Sequence, residues 1–221
     1  MWYKLKRATI RVNGVEKQIR PNSRLPAEYQ EVEWIQSDGS SYIRTSLILQ
    51  DWYTFKMKVQ YKQASRWYNI WGYYYNSSNS RFYYGRNDGN QFGYWFWTSL
   101  WDLWASLIDT DYEIDAKLVN GSQHFIVNGT TLHTDTFSFS TSAQYPLWIF
   151  AEVWDVWWWW IWAWWPLRMY YCKLYDSLDV ISLDLIPCYR IADGVIWMYD
   201  LVGETFYTNS WTGTFTKWPD V

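Results

Sequence analysis

Apolar residues recur with a period of two along most of the chain, and no stretch carries a helical apolar stripe bounded by caps. Phe55, Met57, Val59 and Tyr61 alternate with Lys56, Lys58, Gln60 and Lys62, which predicts a strand with one face in a core and the other in water. Ile114, Ala116 and Leu118 alternate with Glu113, Asp115 and Lys117 in the same way. Further strands are expected at Gln123 to Val127, Thr130 to His133, Met169 to Tyr175 and Val180 to Ile186. Asn13-Gly14, Asn120-Gly121 and Asn128-Gly129 separate such runs. Both residue types tolerate the positive φ of a type I′ turn, so each pair predicts a tight hairpin. The first would join Ala8 to Val12 with Val15 to Ile19. A series of short strands at this spacing predicts an all-β, two-sheet antiparallel sandwich.

At 221 residues the chain is long enough to bury the core of one such sandwich. The net charge of -3 arises from 22 acidic and 19 basic residues without a long run of either sign. That balance gives no electrostatic hold on nucleic acid or anionic lipid. Cys172 and Cys188 are the two cysteines; they allow at most one internal disulfide and are read as two separate buried thiols. The opening Met1-Trp2-Tyr3-Lys4-Leu5-Lys6-Arg7 lacks the apolar stretch of a secretory signal. The chain is therefore expected to stay where it is made or to leave inside a larger particle. Sequons at Asn76, Asn120 and Asn128 are read as turn chemistry. The apolar run from Trp157 to Leu167 ends at Arg168 and is shorter than the roughly 18 residues a membrane span requires.

Two stretches carry a family resemblance. The first is Leu25-Pro26-Ala27-Glu28-Tyr29-Gln30-Glu31-Val32-Glu33-Trp34-Ile35-Gln36-Ser37, followed by Ser41-Tyr42-Ile43-Arg44-Thr45. The second runs from Ile186-Pro187-Cys188-Tyr189-Arg190 through Asp193-Gly194-Val195-Ile196 and Met198-Tyr199-Asp200-Leu201-Val202 to Phe206-Tyr207-Thr208-Asn209. They resemble the first and last strands of laminin-G-like, concanavalin A-like jelly-roll domains of phage and prophage tail regions, and Phe125-Ile126-Val127-Asn128-Gly129 is similar to the central hairpin of that fold. The resemblance covers residues 25–221 and implies one jelly-roll domain there. Residues 1–24 are similar to a separate attachment hairpin ahead of such domains. It further implies a carbohydrate or host-surface ligand, or a structural place in a tail, with other virion proteins held through the N-terminal segment.

Tryptophan is out of proportion, with 21 Trp against 11 Gly, whereas glycine is ordinarily about 7% of residues. Trp197, Trp211 and Trp218 stand where the closing stretch of the family has small turn residues. The run Trp154 to Pro166, with Trp157-Trp158-Trp159-Trp160 inside it, would read as a flexible glycine-rich loop if each Trp were Gly. This pattern predicts that many of these residues are glycine in the source organism, decoded from a reassigned TGA codon. The literal alternative is an aromatic surface for stacking on sugar rings.

Candidate chemistry is sparse. Glu113-Ile114-Asp115 begins the Glu-x-Asp-x-x-Glu pattern of glucanases with a concanavalin-like fold, but Leu118 occupies the last position. A retaining glycosidase needs a carboxyl pair about 5 Å apart, so these charges are read as the wet face of a strand and no catalytic residue is expected. His124 and His133 fall on adjacent strands, with Asp135 nearby; the reading is polar side chains on an exposed face, not a metal site. Arg86-Asn87-Asp88-Gly89-Asn90 has turn composition able to hydrogen-bond a sugar or take calcium, and is read as a loop. No cofactor is expected.

Gly72-Tyr73-Tyr74-Tyr75 and Arg81-Phe82-Tyr83-Tyr84 flank a turn at 76–80. Alternation would place Tyr73, Tyr75, Arg81 and Tyr83 on one face, and with Arg86 and Asn87 they form the expected ligand-binding set. The expectation is thus a non-catalytic binding module for carbohydrate or a host surface, in a tail-like particle. A purely structural tail protein and a glycoside hydrolase are the alternatives. A homotrimer would suit fibre-like surroundings, although no heptad pattern specifies one.

Overall fold

The computed structural model describes residues 8–12, 15–19, 24–48, 53–63, 68–74, 81–86, 91–96, 99–119, 122–135, 146–153, 161–162, 166–210, 212–218 and 220. Among these the backbone forms strands and no helix. The first seven strands are β1 (Ala8–Val12), β2 (Val15–Ile19), β3 (Tyr29–Glu31), β4 (Ile35–Ser37), β5 (Ile43–Ile48), β6 (Thr54–Tyr61) and β7 (Tyr68–Tyr74). The next seven are β8 (Arg81–Arg86), β9 (Gln91–Phe96), β10 (Ser99–Ala105), β11 (Asp111–Val119), β12 (Ser122–Val127), β13 (Thr130–Asp135) and β14 (Pro146–Ile149). The last are β15 (Glu152–Val153), β16 (Ile161–Trp162), β17 (Leu167–Tyr175), β18 (Ile181–Arg190), β19 (Ile196–Asp200), β20 (Thr205–Tyr207) and β21 (Phe215–Lys217).

Two antiparallel sheets form the body, as the alternation predicts. The smaller has the order β10-β9-β8-β7-β14-β5, and the larger runs β13-β12-β11-β6-β17-β18-β19-β20. β4 lies between β17 and β21, and β3 joins β18. β1 and β2 pair with each other in a separate two-stranded sheet, as do β15 and β16. Jelly-roll sandwiches close in this manner, one greasy face of each sheet meeting the other.

Burial follows the period of two. Phe55, Met57, Val59 and Tyr61 are fully buried while Lys56 and Lys58 between them are partly in water. Ile43, Ile70, Phe92, Leu147 and Ile149 of the smaller sheet enter the same cluster, so the core is shared by both sheets. Phe92 meets Tyr112 edge-on at 4.8 Å and lies 6.1 Å from Phe125. Cys172 belongs to this core. Cys188 belongs to a second, smaller cluster with Leu25, Ile186 and Tyr199, and Tyr29 and Phe206 pack against it. Both cysteines are free, so the reading as separate thiols holds.

The turns behave as their composition requires. Asn128 and Gly129 take φ values of 48° and 77° and close β12 onto β13 with Val127 opposite Thr130. Val12 opposes Val15, and Val119 opposes Ser122; the Asn13-Gly14 and Asn120-Gly121 pairs between them lie outside the described residues. Pro187 is tolerated inside β18 because one edge of that strand changes partner there. Up to Leu185 that edge pairs with β17, and from Cys188 it pairs with β3. A residue with no N–H fits at the handover, and its carbonyl accepts the Val32 amide at 3.0 Å.

The segment from Val32 to Ile43 is fastened to the segment from Asn209 to Asp220. β21 pairs with β4, with Phe215 opposite Ser37, and isolated bridges join Val32 to Asp220 and Ile43 to Asn209. The Asn209 side chain accepts the Tyr42 amide and donates to the Gly213 carbonyl.

Candidate functional site

The expected ligand face falls on β7 and β8. Tyr75 and Asn87 lie outside the described residues. Tyr73 pairs with Phe82, Tyr74 with Arg81, Gly72 with Tyr83 and Tyr68 with Arg86. Residues directly opposite share a sheet face, so the register groups positions 81 and 83 with 72 and 74 and separates them from position 73. This corrects the expected grouping of Tyr73 with Arg81 and Tyr83. An even number of connecting residues, 75–80, puts positions of opposite parity across from each other, and a one-residue change in parity exchanges the faces.

The histidines do not meet. His124 is opposite Thr134 and His133 is opposite Phe125, which puts the two rings on different faces of the hairpin. The ring nitrogens of His124 contact Thr134 Oγ1 at 3.1 Å and Ser122 Oγ at 3.2 Å. Among the described residues no three His, Cys, Asp or Glu side chains are arranged to hold a metal ion. The loop at 87–90 lies outside the described residues, as does most of the tryptophan run, of which β16 pairs with β15. Glu113 accepts a hydrogen bond from the Tyr171 hydroxyl, and Asp115 is opposite Lys56. Partial burial raises the Asp115 carboxyl above its ordinary range, against the pull of Lys56 and Lys117.

The outer face of the larger sheet carries an arrangement that strand-by-strand reading does not reveal. Asp111, Gln60, Arg168, Gln36 and Thr216 stand opposite one another in turn across β11, β6, β17, β4 and β21. This single cross-strand row is wired by side chains. Gln60 Nε2 donates to Asp111 Oδ1 at 2.9 Å. Arg168 Nη1 donates to Gln60 Oε1 and Arg168 Nε to Gln36 Oε1, both at 2.9 Å. Lys62 also donates to Gln60 Oε1, at 3.1 Å.

Aromatic rings flank the row. The Arg168 guanidinium carbon lies 3.9 Å from the centre of the Trp34 ring, within cation–π range. Trp34 in turn lies parallel to the exposed Trp218, with 5.9 Å between ring centres. At the other end a bulge inserts one extra residue into β17 between Met169 and Tyr171, so that Tyr170 and Tyr171 both reach carboxylates of β11. The Tyr170 hydroxyl donates to Asp111 Oδ1 at 2.7 Å, and Lys58 Nζ sits 4.3 Å from the Tyr170 ring centre and 2.9 Å from Asp111 Oδ2.

These contacts set the charges. Partial burial pushes the Asp111 carboxyl up, but Lys58, Tyr170 and Gln60 together hold it below its usual range. The Tyr170 and Tyr171 phenols are raised by burial and by the carboxylates they bond. The row is thus a preorganised set of donors and acceptors between aromatic rings, an arrangement suited to hydroxyl-rich ligands with apolar faces.

No protein-family model matches the chain, and comparison with curated proteins finds no match. Solved structures do resemble it. A protein from Bacteroides ovatus named for carbohydrate binding superimposes with a TM-score of 0.59 at 10% identity, over 86% of this chain and 62% of its own. The chain therefore spans about three fifths of that structure. A heptameric SAP-like pentraxin from Limulus polyphemus gives a TM-score of 0.49 at 11% identity, over 66% of this chain and 76% of the pentraxin. A carbohydrate-binding module from Bacillus subtilis gives 0.38 at 11% identity, over 63% and 92%. With its two facing antiparallel sheets and shared core, the chain has the fold of an all-β jelly-roll sandwich.

Proposed function

We propose that the protein is a non-catalytic carbohydrate-binding module. The observation that carries this reading is the row from Asp111 to Thr216, in which five strands align hydrogen-bonding side chains across the outer face of one sheet. The likeness to the Bacteroides ovatus protein supports it through the fold. Catalysis has weaker support: Glu113 is engaged by Tyr171, and Leu118 holds the place of a third carboxyl group. The context proposed is host-surface recognition within a phage tail-like particle. It is supported by the resemblance of residues 25–221, with the β1–β2 hairpin of residues 1–24 as the attachment segment. Of the β7–β8 residues, Arg81 and Tyr83 are proposed as a further contact surface, whereas the register places Tyr73 and Arg86 on the opposite face, shared with Phe92 of the core.

A glycan array with the purified chain tests the module. A saturable signal that free sugar competes away is the expected result. Its absence on every glycan returns the protein to a structural role. Hydrolysis of a polysaccharide that disappears in Glu113→Gln would replace binding with catalysis.

The recoding of glycine as tryptophan is part of the same proposal. It is supported at Trp197, whose indole Nε1 is buried without an acceptor among the described residues, a costly state for a polar group. TGG codons at positions 197 and 218 of the gene would end it, and TGA codons there are expected.

A further inference from the structure

We propose that Arg168 anchors a subsite for a carboxylate-bearing sugar on the outer face of the larger sheet. This rests on the carbohydrate-binding reading above and adds to it a place and a ligand class. Among the described residues, Arg24 is paired with Glu31 and Arg190 with Asp193, each through a carboxylate. Arg168 is half-buried and has no carboxylate partner. Its Nε and Nη1 are held by the amide oxygens of Gln36 and Gln60, and its guanidinium carbon lies 3.9 Å from the centre of the Trp34 ring. Two neutral acceptors and an aromatic ring orient a guanidinium without cancelling its charge. Its Nη2 has no protein partner among the described residues, and a fixed guanidinium edge is matched by the planar geometry of a carboxylate.

The surroundings keep that edge available. Asp111, the anionic member of the row, is already engaged by Gln60, Tyr170 and Lys58. Gln60 stands between Asp111 and Arg168, donating to one and accepting from the other. Glu33, next to Trp34 in the chain, forms no ion pair with Arg168 among the described residues. The Trp34 ring against the guanidinium is only 6% exposed, so what this part of the row offers a ligand is the charged group itself, with the exposed Thr216 hydroxyl two strands away. A small inorganic anion would use the cation alone, and a neutral sugar the hydroxyl and amide groups of the row alone. A uronic- or sialic-type sugar uses both.

The test is affinity electrophoresis of the full chain in gels containing polygalacturonate, alginate, hyaluronan or polysialic acid, each run against its methyl-esterified form. Retardation by at least one acidic polymer is expected, at least tenfold weaker once the carboxyl groups are esterified. Arg168→Gln should weaken it at least tenfold. Because that change also uncovers Trp34, Gln36→Glu is the second variant: it places a carboxylate against Nε, neutralises the guanidinium in place and keeps the ring covered. It should abolish the retardation without lowering the melting temperature. Equal retardation by acid and ester, or acid-specific retardation unchanged in Gln36→Glu, overturns the subsite. Binding confined to neutral glycans on the array overturns the subsite and leaves the module standing. Binding to no glycan removes both.

Discussion

The Asp38 carboxylate accepts the Thr214 backbone N–H at 2.7 Å, joining the turn after β4 to the segment before β21. The same carboxylate takes the Ser40 amide at 2.8 Å and the Ser41 hydroxyl at 2.7 Å. Partial burial pushes this carboxyl up, yet the bonds from Thr214, Ser40 and Ser41 outweigh it and hold the value at about 2, against an ordinary 3.8. A carboxyl depressed by folding contributes stability above its unfolded value, and the contribution is lost as pH falls through the folded value. Asp38→Asn is therefore expected to lower stability at pH 7 by about 1 kcal/mol, after allowance for solvent screening. The difference from the parent should shrink below pH 3.8 and close near pH 2. Thermal melts of both proteins across that range provide the check.

Gly213 is fixed by the same junction. A methyl group there would stand 2.6 Å from the Ser40 carbonyl carbon and also crowd the Asp38 carboxylate and the Ser40 hydroxyl. Backbone is among the obstructing atoms, so the clash is not relieved by a rotamer change. Gly213→Ala should cost about 1–3 kcal/mol, measured by urea unfolding. An unchanged midpoint would show that the two loops are not in contact.

In the core, Phe92 is the ring of the smaller sheet that meets Tyr61, Tyr112 and Phe125 of the larger one. Truncation at such a site removes buried surface and leaves a cavity. Phe92→Ala should destabilise by about 3–5 kcal/mol. If the sheets did not pack face to face through this residue, denaturant unfolding would show a far smaller loss.

The thiols offer a chemical readout of the two clusters. Burial pushes Cys172 up to about 12, with Asp184 adding to the effect, and burial with Glu31 does the same for Cys188. The thiolate is the reactive form. Neither cysteine should react with Ellman's reagent at pH 8 in the native protein, and both should react in guanidinium chloride. Rapid labelling of Cys188 alone would mean that the segment carrying Leu25 and Tyr29 does not cover it.

Local pattern carried much of the fold. The alternation from Phe55 to Tyr61 made β6 legible, and Asn128-Gly129 made the β12–β13 hairpin legible, because each signal is contained within a few consecutive residues. The row from Asp111 to Thr216 was not legible for the opposite reason. Its members come from strands spread over most of the chain and are aligned only by tertiary pairing. The extra residue at Tyr170 likewise shows only against β6, since a bulge is a mismatch between two strands and has no signature in either alone. The β7–β8 face was misgrouped because parity across a hairpin depends on how many residues the connection takes up.

The bridge between Val32 and Asp220, continued by β4 against β21, gives the domain a mechanical weak seam. Pulled outward from those two residues, the seam is loaded at one end, so its pairs part in succession as a zip does. β21 would peel from β4 while β4 kept its pairing with β17, leaving the sandwich a safety margin that a pull along its strands would not provide.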